Sequence, residues 1–100
     1  MTPHKLSWEE YDALVEQGNV HFLVDVREDD EWEAGHAENA THIPLGELAA
    51  RVRELLPDAS APVVVCCRSG GRAARACGEL SGMGYQNLAH IVGDAGNHYR

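Results

Sequence analysis

One stretch of ten residues, Val63 to Arg72, constrains the fold of this chain more than any other. It reads Val-Val-Val-Cys-Cys-Arg-Ser-Gly-Gly-Arg, and an alanine-rich segment follows it. The β-branched apolar run predicts a buried strand and the alanines predict a helix, so the glycines lie in a tight turn between the two. In open α/β sheets, ligands bind at such junctions, and the N–H groups at a helix start attract anions. We therefore expect an anion site with Cys67 at its mouth.

The rest of the chain alternates between helical and extended patterns. Ser7 and Glu10 match a capping box for a helix that runs to about Gln17, with its apolar face formed by Trp8, Tyr11, Leu14 and Val15. Extended segments are predicted at residues 20–26, 40–45, 61–66 and 88–92, and further helices at 28–34, 46–56 and 71–81. Residues 93–100 are expected to form a loop or a brief terminal helix. This alternation predicts a mainly parallel sheet covered by helices on both faces, with right-handed crossovers.

Length and cysteine usage indicate a single domain, residues 1–100, in a reducing compartment. One hundred residues suffice for one self-sufficient core, and no stretch approaches the ~18 uninterrupted apolar residues of a membrane helix. The amino terminus shows no apolar segment before a small-residue cleavage site, so no secretory signal is expected. The three cysteines are odd in number and two are adjacent, which argues against a disulfide framework. We therefore expect a soluble, cytoplasmic protein without a membrane partner.

The charge distribution argues against a nucleic-acid partner. The formal net charge is -8 at pH 7, whereas binding a phosphate backbone requires a basic face. Two acidic clusters, Glu9 with Glu10 and residues 28–33, are interpreted as solvated helix faces rather than docking sites. A local basic group nevertheless surrounds Cys67, formed by Arg68, Arg72 and Arg75. Because a local cluster of positive charge can persist in a chain of negative net charge, we expect this group to attract a small anion.

The loop that begins at Cys67 has the composition of a thiolate site. A thiol is a useful nucleophile only as the thiolate, and both neighbouring arginines and a helix start lower the cost of that charge. Gly70 and Gly71 allow the backbone to curl so that successive N–H groups point inward. The predicted result is a cradle for a negatively charged sulfur and for an oxyanion attached to it.

The spacing within this loop resembles a known catalytic pattern. Two families build such a cradle around cysteine: phosphatases with a Cys-x5-Arg loop, and rhodanese-like sulfurtransferases with a loop one residue shorter. From Cys67 to Arg72 the spacing is Cys-x4-Arg, and the sequence Cys-Arg-Ser-Gly-Gly-Arg resembles the rhodanese form. Counted from Cys66, the same loop would be Cys-x5-Arg, so a phosphatase or an arsenate reductase that uses Cys66 stays open as an alternative.

A second stretch resembles the signature that precedes the catalytic loop in rhodaneses. It consists of Asp25-Val-Arg-Glu28, Glu31-Trp32, Gly35-His36, Asn39-Ala40 and His42-Ile43-Pro44-Leu45. Two motifs in the correct order imply the single-domain rhodanese fold, a mainly parallel five-stranded sheet flanked by helices on both faces. The chain departs from the family near its end: the family often has a Gly-Gly pair and then a tryptophan, whereas residues 93–99 read Gly-Asp-Ala-Gly-Asn-His-Tyr. We expect this departure to affect terminal packing and one wall of the site.

The resemblance implies a sulfurtransferase with a two-step cycle. Cys67 would take the sulfane sulfur of a donor such as thiosulfate as a persulfide and pass it to cyanide, a thiol or a sulfur-carrier protein. The backbone of Arg68, Ser69, Gly70, Gly71 and Arg72 would hold the persulfide, and the Arg68 and Arg72 side chains would attract the sulfonate. No metal or organic cofactor is expected. A second hypothesis is a binding or sulfur-relay module of the same fold, without turnover of free small donors.

The remaining reactive residues are expected to serve mainly structural roles. Asp25 and Arg27 follow a neighbouring strand, and we expect Arg27 to pair with an acidic residue and brace the loop. Cys66 alternates to the other side of the strand and is expected in the core, with a resolving thiol as the alternative, and Cys77 is expected in the core as well. His36 and His42 show no metal-ligand spacing. Trp8 and Trp32 are interpreted as core anchors.

Overall fold

The computed structural model describes residues 4–93, 95, 98 and 99, which form an α/β fold around one five-stranded parallel sheet. The strands are β1 (His4–Ser7), β2 (Phe22–Asp25), β3 (Ala40–His42), β4 (Val63–Cys66) and β5 (Leu88–Val92). Their order in the sheet is β1-β5-β4-β2-β3, and every neighbouring pair is parallel. The predicted fold class is therefore confirmed, and four of the strands lie within predicted extended segments. β1 is the strand that the sequence pattern does not predict.

Four helices connect the strands: α1 (Trp8–Glu16), α2 (Asp29–Ala34), α3 (Leu48–Leu55) and α4 (Gly71–Gly82). The predicted capping box is present, since the Glu10 N–H donates to Ser7 Oγ at 3.0 Å and the Ser7 N–H to the Glu10 carboxylate at 2.9 Å. α3 begins later than predicted because residues 45–47 form a 3-10 turn. Within the described ranges, every helix is too short or too polar to cross a membrane.

The two faces of the sheet are covered differently, and consecutive strand residues belong to different cores. Val63 and Val65 of β4 pack into a first cluster beneath α3 and α4. Val64 and Cys66 pack into a second cluster, which includes Trp8 and other residues from the α1 side. Because side chains alternate along a strand, this arrangement follows from the unbroken apolar sequence of β4, which is typical of a strand buried on both faces.

Three apolar residues lie outside the cores: Val15 and Trp32, which are predicted to be buried, and Leu55 of the predicted helix 46–56. Val15 is 51% exposed because the last turn of α1 borders a cleft rather than the sheet. Leu55 is 41% exposed, and Leu56 takes the buried place beside it. Trp32 is half-buried outside both cores, since α2 buries no residue against the sheet. The predicted terminal loop or helix falls partly on residues 94, 96, 97 and 100, which lie outside the described residues.

Candidate active site

Cys67 follows β4 directly and lies beneath a cradle of backbone N–H groups. It is 2% exposed and packs in the first cluster against the start of α4. The N–H of Gly70 donates to its Sγ at 3.0 Å, and the N–H of Ala73 does so at 3.4 Å. Two such dipoles directed at one sulfur atom stabilise negative charge on it. The loop therefore has the geometry that the paired glycines predict.

Gly70 gives the loop its shape because no larger residue fits there. Its φ of +106° lies in the left-handed region, which favours glycine. A Cβ at this position would stand 3.0 Å from Val92 Cα and 3.1 Å from the Ile91 carbonyl oxygen. The loop also receives a hydrogen bond, from the Gly93 N–H to the Ser69 carbonyl at 3.2 Å. β5 thus fixes the side of the loop opposite α4.

The Arg72 guanidinium is held by a carboxylate from α2. It donates to both carboxylate oxygens of Glu31, at 2.6 and 2.9 Å, which is a bidentate pairing. This pairing holds the pKa of Glu31 at about 2, well below its ordinary value. Sequence reasoning places Arg72 at the anion site but does not identify its partner. Arg68 is exposed and forms no hydrogen bond or ion pair with the described residues, so its guanidinium is the available one in the loop.

Asp25 and Arg27 form a buried ion pair that fixes α2 beside the loop. They are 0% and 5% exposed. Arg27 donates to the Asp25 carboxylate through Nε at 3.0 Å and through a terminal nitrogen at 2.8 Å. The same guanidinium donates to the carbonyls of Glu31 at 3.3 Å and Gly35 at 2.7 Å. The geometry is that of the bracing pair predicted from the sequence, with Asp25 as the acidic partner.

Tyr99 belongs to the site, although sequence reasoning does not identify it. Its ring covers the Arg27 guanidinium, with 3.7 Å between Arg27 Cζ and the ring centroid. Its hydroxyl donates to the Cys67 carbonyl at 2.8 Å. Burial raises the pKa of Tyr99, so the hydroxyl stays a donor at neutral pH. One sequence feature could have identified Tyr99: it is an aromatic residue near the position where the resembled family often has its tryptophan.

Cys66 and Cys77 lie outside the cradle. Cys66 is 0% exposed in the second cluster, on the face of the sheet opposite Cys67. Burial, reinforced by the Asp25 carboxylate, raises the pKa of the Cys66 thiol to about 12. Burial also raises the pKa of Cys77 to about 12, on the inner face of α4. Both therefore have the core positions predicted for them, and the recorded N–H donors of the cradle, from Gly70 and Ala73, donate to Cys67.

The two histidines of the second motif stack on Trp32. The His36 ring lies 3.5 Å from the Trp32 ring, centroid to centroid, and the His42 ring lies 4.7 Å from it, both nearly parallel. His36 Nδ1 donates to the Trp32 carbonyl at 3.0 Å, and His42 Nε2 donates to the Arg27 carbonyl at 2.8 Å. In the part of the chain that the structure describes, no group of three or more His, Cys, Asp or Glu side chains is placed to hold a metal ion.

Comparisons with known proteins connect this geometry to one family. A family model described as a rhodanese-like domain matches residues 7–95. Thiosulfate sulfurtransferase GlpE of Pseudomonas syringae is 34% identical over 85 residues, which cover 85% of this chain and 76% of GlpE. Adenylyltransferase and sulfurtransferase UBA4 of Candida albicans is 33% identical over 95 residues, which cover 89% of this chain and 22% of UBA4.

A solved structure shares the fold over most of the chain. The crystal structure of thiosulfate sulfurtransferase from Pseudomonas aeruginosa matches with a TM-score of 0.77 and 27% identity. The match covers 92% of this chain and 18% of that chain. The present chain thus spans less than a quarter of UBA4 and of the Pseudomonas aeruginosa protein, but most of GlpE.

Proposed function

The chain belongs to the family of rhodanese-like domains, and on that premise we propose that it is a rhodanese-type sulfurtransferase that carries a sulfane sulfur on Cys67. The observation that carries the proposal is the pair of backbone N–H groups, from Gly70 and Ala73, directed at Cys67 Sγ. The similarity to GlpE, a protein named as a thiosulfate sulfurtransferase, supports the same reaction class. The identities of the sulfur donor and of the sulfur acceptor are further parts of the proposal.

In the first step, Cys67 takes sulfur from a donor such as thiosulfate. The thiolate Sγ attacks the outer sulfur of thiosulfate and forms a new S–S bond. The S–S bond of thiosulfate breaks at the same time, and its electron pair leaves with sulfite. The Gly70 and Ala73 N–H groups stabilise the thiolate before attack and the charged persulfide after it. No proton transfer is needed, which agrees with a bracing role for Asp25 and Arg27.

In the second step, the sulfur passes to a nucleophilic acceptor. Cyanide, a thiolate or the thiol of a sulfur-carrier protein attacks the outer persulfide sulfur, and the electron pair of the breaking S–S bond returns to Cys67 Sγ. The cycle regenerates the thiolate and needs no oxidant or reductant. We assign Arg68 the attraction of the donor's sulfonate, because Arg68 is exposed whereas Glu31 already neutralises Arg72.

The test is intact-mass spectrometry after incubation with thiosulfate. The wild-type chain is expected to gain the mass of one sulfur atom, and cyanide is expected to remove it. Cys67→Ser should gain none, whereas Cys66→Ser, the matched control one residue away, should load normally. The proposal would be contradicted if the wild type took up sulfur neither from thiosulfate nor from any persulfide donor.

A sulfur-relay module is the second candidate, and the Arg72–Glu31 pairing favours it. With Arg72 neutralised and Cys67 only 2% exposed, the loop offers a free small anion few direct contacts. A relay would load slowly from thiosulfate but rapidly from a protein persulfide, for example on a cysteine desulfurase. Comparing the two loading rates separates the candidates. A phosphatase reaction on Cys66 is disfavoured, because Cys66 faces the opposite core and burial raises its pKa to about 12.

We also propose that the chain works in a reducing compartment such as the cytoplasm. All three cysteines are unpaired and buried, and a free thiol at Cys67 is what the reaction requires. Reducing conditions preserve such a thiol. Localisation of the tagged full-length protein in its own cells tests this part of the proposal, and a secreted protein would contradict it.

A further inference from the structure

A carboxylate that takes no step in the proposed reaction, that of Glu31 on α2, lies beside the catalytic loop. Its oxygens accept from both terminal nitrogens of Arg72, at 2.6 and 2.9 Å. One of them, Oε1, also accepts from the Glu28 N–H at 3.0 Å, as part of a capping box at the start of α2. Arg27 holds the same helix by donating to the carbonyls of Glu31 and Gly35. The negative charge is therefore fixed in place from three directions.

Glu31 and Arg72 are both charged at neutral pH and cancel each other. The hydrogen bonds from Arg72 hold the pKa of Glu31 at about 2. The pKa of Arg72 is raised in turn, chiefly by its hydrogen bonds to Glu31, so the guanidinium keeps its proton. The side chains of Arg72 and Glu31 are 33% and 25% exposed, so solvent screens their charges only in part. Arg72 thus adds no net positive charge to the mouth of the loop.

Arg72 is nonetheless near enough to Cys67 to act on what binds there. It is the last residue of the loop and precedes Ala73, whose N–H donates to Cys67 Sγ at 3.4 Å. Negative charge on Cys67 also raises the pKa of Arg72, after the larger effect of Glu31. A donor whose outer sulfur meets Cys67 Sγ is therefore within the field of both charges. The carboxylate of Glu31 consequently affects how strongly the loop attracts an anionic donor.

Sulfur donors differ in the charge that they bring to the loop. Thiosulfate is a dianion whose sulfane sulfur is attached directly to a sulfonate, whereas the reactive group of a thiol persulfide has one negative charge at most. Coulomb energy is proportional to the charge of the ligand, so a fixed carboxylate opposes a dianion about twice as strongly as a monoanion. With Arg72 neutralised, Arg68 is the exposed guanidinium that the loop has left for a donor. The arrangement therefore disfavours thiosulfate relative to donors of lower charge.

We propose that Glu31 determines donor specificity: by neutralising Arg72, it slows sulfur uptake from dianionic donors and favours transfer from the persulfides of thiols, free or on a protein. This inference rests on the sulfurtransferase function proposed above and names its donor class. The reaction at Cys67 is the same for both classes. A new S–S bond forms at Cys67 Sγ, the S–S bond of the donor breaks, and its electron pair leaves with sulfite or with the donor's thiolate.

The test compares thiosulfate with the monoanion methanethiosulfonate, which leaves the same persulfide on Cys67. Intact-mass measurements at timed intervals give a loading rate constant for each donor. Glu31→Gln frees Arg72, and we expect it to load about tenfold faster than the wild type from thiosulfate but only about threefold faster from methanethiosulfonate. Glu33→Gln removes a charge from an exposed position of the same helix, and it should change both rates by less than about twofold. Equal effects of the two variants, or a fall in both rates for Glu31→Gln, overturn the proposal.

Two further variants separate the charge of Glu31 from its bracing contact. Glu31→Asp keeps the charge, and we expect it to keep the wild-type ratio of the two loading rates although the shorter side chain weakens the pairing. Glu31→Gln combined with Arg72→Gln should lose the gain with thiosulfate, because the freed guanidinium is what attracts the donor. A gain that persists without Arg72, or a Glu31→Asp variant with the ratio of Glu31→Gln, overturns the proposal. The proposed function stands in either case, since it fails only if the wild type takes up sulfur from no donor.

Discussion

The two sides of β4 place adjacent cysteines in opposite chemical surroundings. Cys66 points into the second cluster, where burial raises the pKa of its thiol to about 12. Cys67 is almost equally buried, at 2% against 0% exposed, yet its sulfur receives two backbone N–H groups. Burial alone therefore does not distinguish an inert thiol from a candidate nucleophile. The difference lies in the donors that the loop directs at one sulfur and not at the other.

This difference depends on elements remote from both cysteines. Gly70 bends the loop against β5, Arg72 ties it to Glu31 on α2, and Tyr99 binds the Cys67 carbonyl. β2 and β5 flank β4 in the sheet, so each supports one side of the loop. The side of β4 that carries Cys67 is thus assembled by tertiary contacts, whereas the side that carries Cys66 needs only apolar packing. Substitutions and chemical probes can separate these two requirements.

The largest expected effect is on thiol reactivity. A pKa of about 12 leaves Cys66 with roughly a thousandth of the thiolate of an ordinary cysteine. At pH 8, we expect iodoacetamide to modify Cys67 faster than Cys66 or Cys77 in the native protein, because burial raises the pKa of both other thiols to about 12. Peptide mapping at timed intervals measures the three rates. Comparable rates for Cys66 and Cys67 in folded protein would abolish the distinction, and urea-unfolded protein serves as the control in which all three react alike.

The next effect concerns the shape of the loop. Gly70→Ala forces a side chain into the left-handed region and against β5, and we expect it to lower the free energy of unfolding by about 2 kcal/mol. It should also slow sulfur loading, because the Gly70 N–H loses its aim at Cys67. Gly71→Ala is the matched control, since a Cβ there meets open space, and it should change stability by less than about 0.5 kcal/mol. Urea titration and loading rates measure both, and equal losses would refute the role of Gly70.

The smallest effect concerns the brace between the loop and α2. Because Arg72 holds the pKa of Glu31 at about 2, below its ordinary 4.5, the pairing contributes stability above about pH 4.5 and loses it as the pH falls toward 2. With both side chains partly exposed, we expect Glu31→Gln to cost about 1 kcal/mol at pH 6 and almost nothing near pH 2. Urea titrations at both pH values measure this difference. Glu33→Gln on the exposed side of α2 is the control, and a pH-independent loss in Glu31→Gln would contradict the assignment.

The sequence predicts those parts of the molecule that depend on local patterns. The helix predicted at residues 71–81 is α4, Gly71–Gly82, and β5 has its predicted bounds, Leu88–Val92. Both elements carry strong periodicity and glycine boundaries, which act over a few residues. The position of Cys67 at a strand-loop-helix junction follows from the same kind of signal.

The unpredicted features depend on contacts between distant residues. β1 is four residues long and begins with the exposed polar pair His4 and Lys5, so it has little strand signal of its own and is defined by its pairing with β5. Glu31 lies 41 residues from Arg72, and several acidic residues near it have the same local sequence character. The sequence therefore predicts the N–H cradle at Cys67, but it predicts neither β1 nor the pairing of Arg72 with Glu31.

The pairing of β1 with β5 also determines how the molecule bears a load. These strands lie near the two ends of the chain, run parallel, and match His4 to Ala89 through Ser7 to Val92. Tension applied at the two ends pulls β1 and β5 in opposite directions along their own axes. Their interstrand hydrogen bonds then resist together, instead of opening one at a time as in a hairpin pulled from its open end. Force applied across the β1–β5 pair would therefore load its hydrogen bonds in shear.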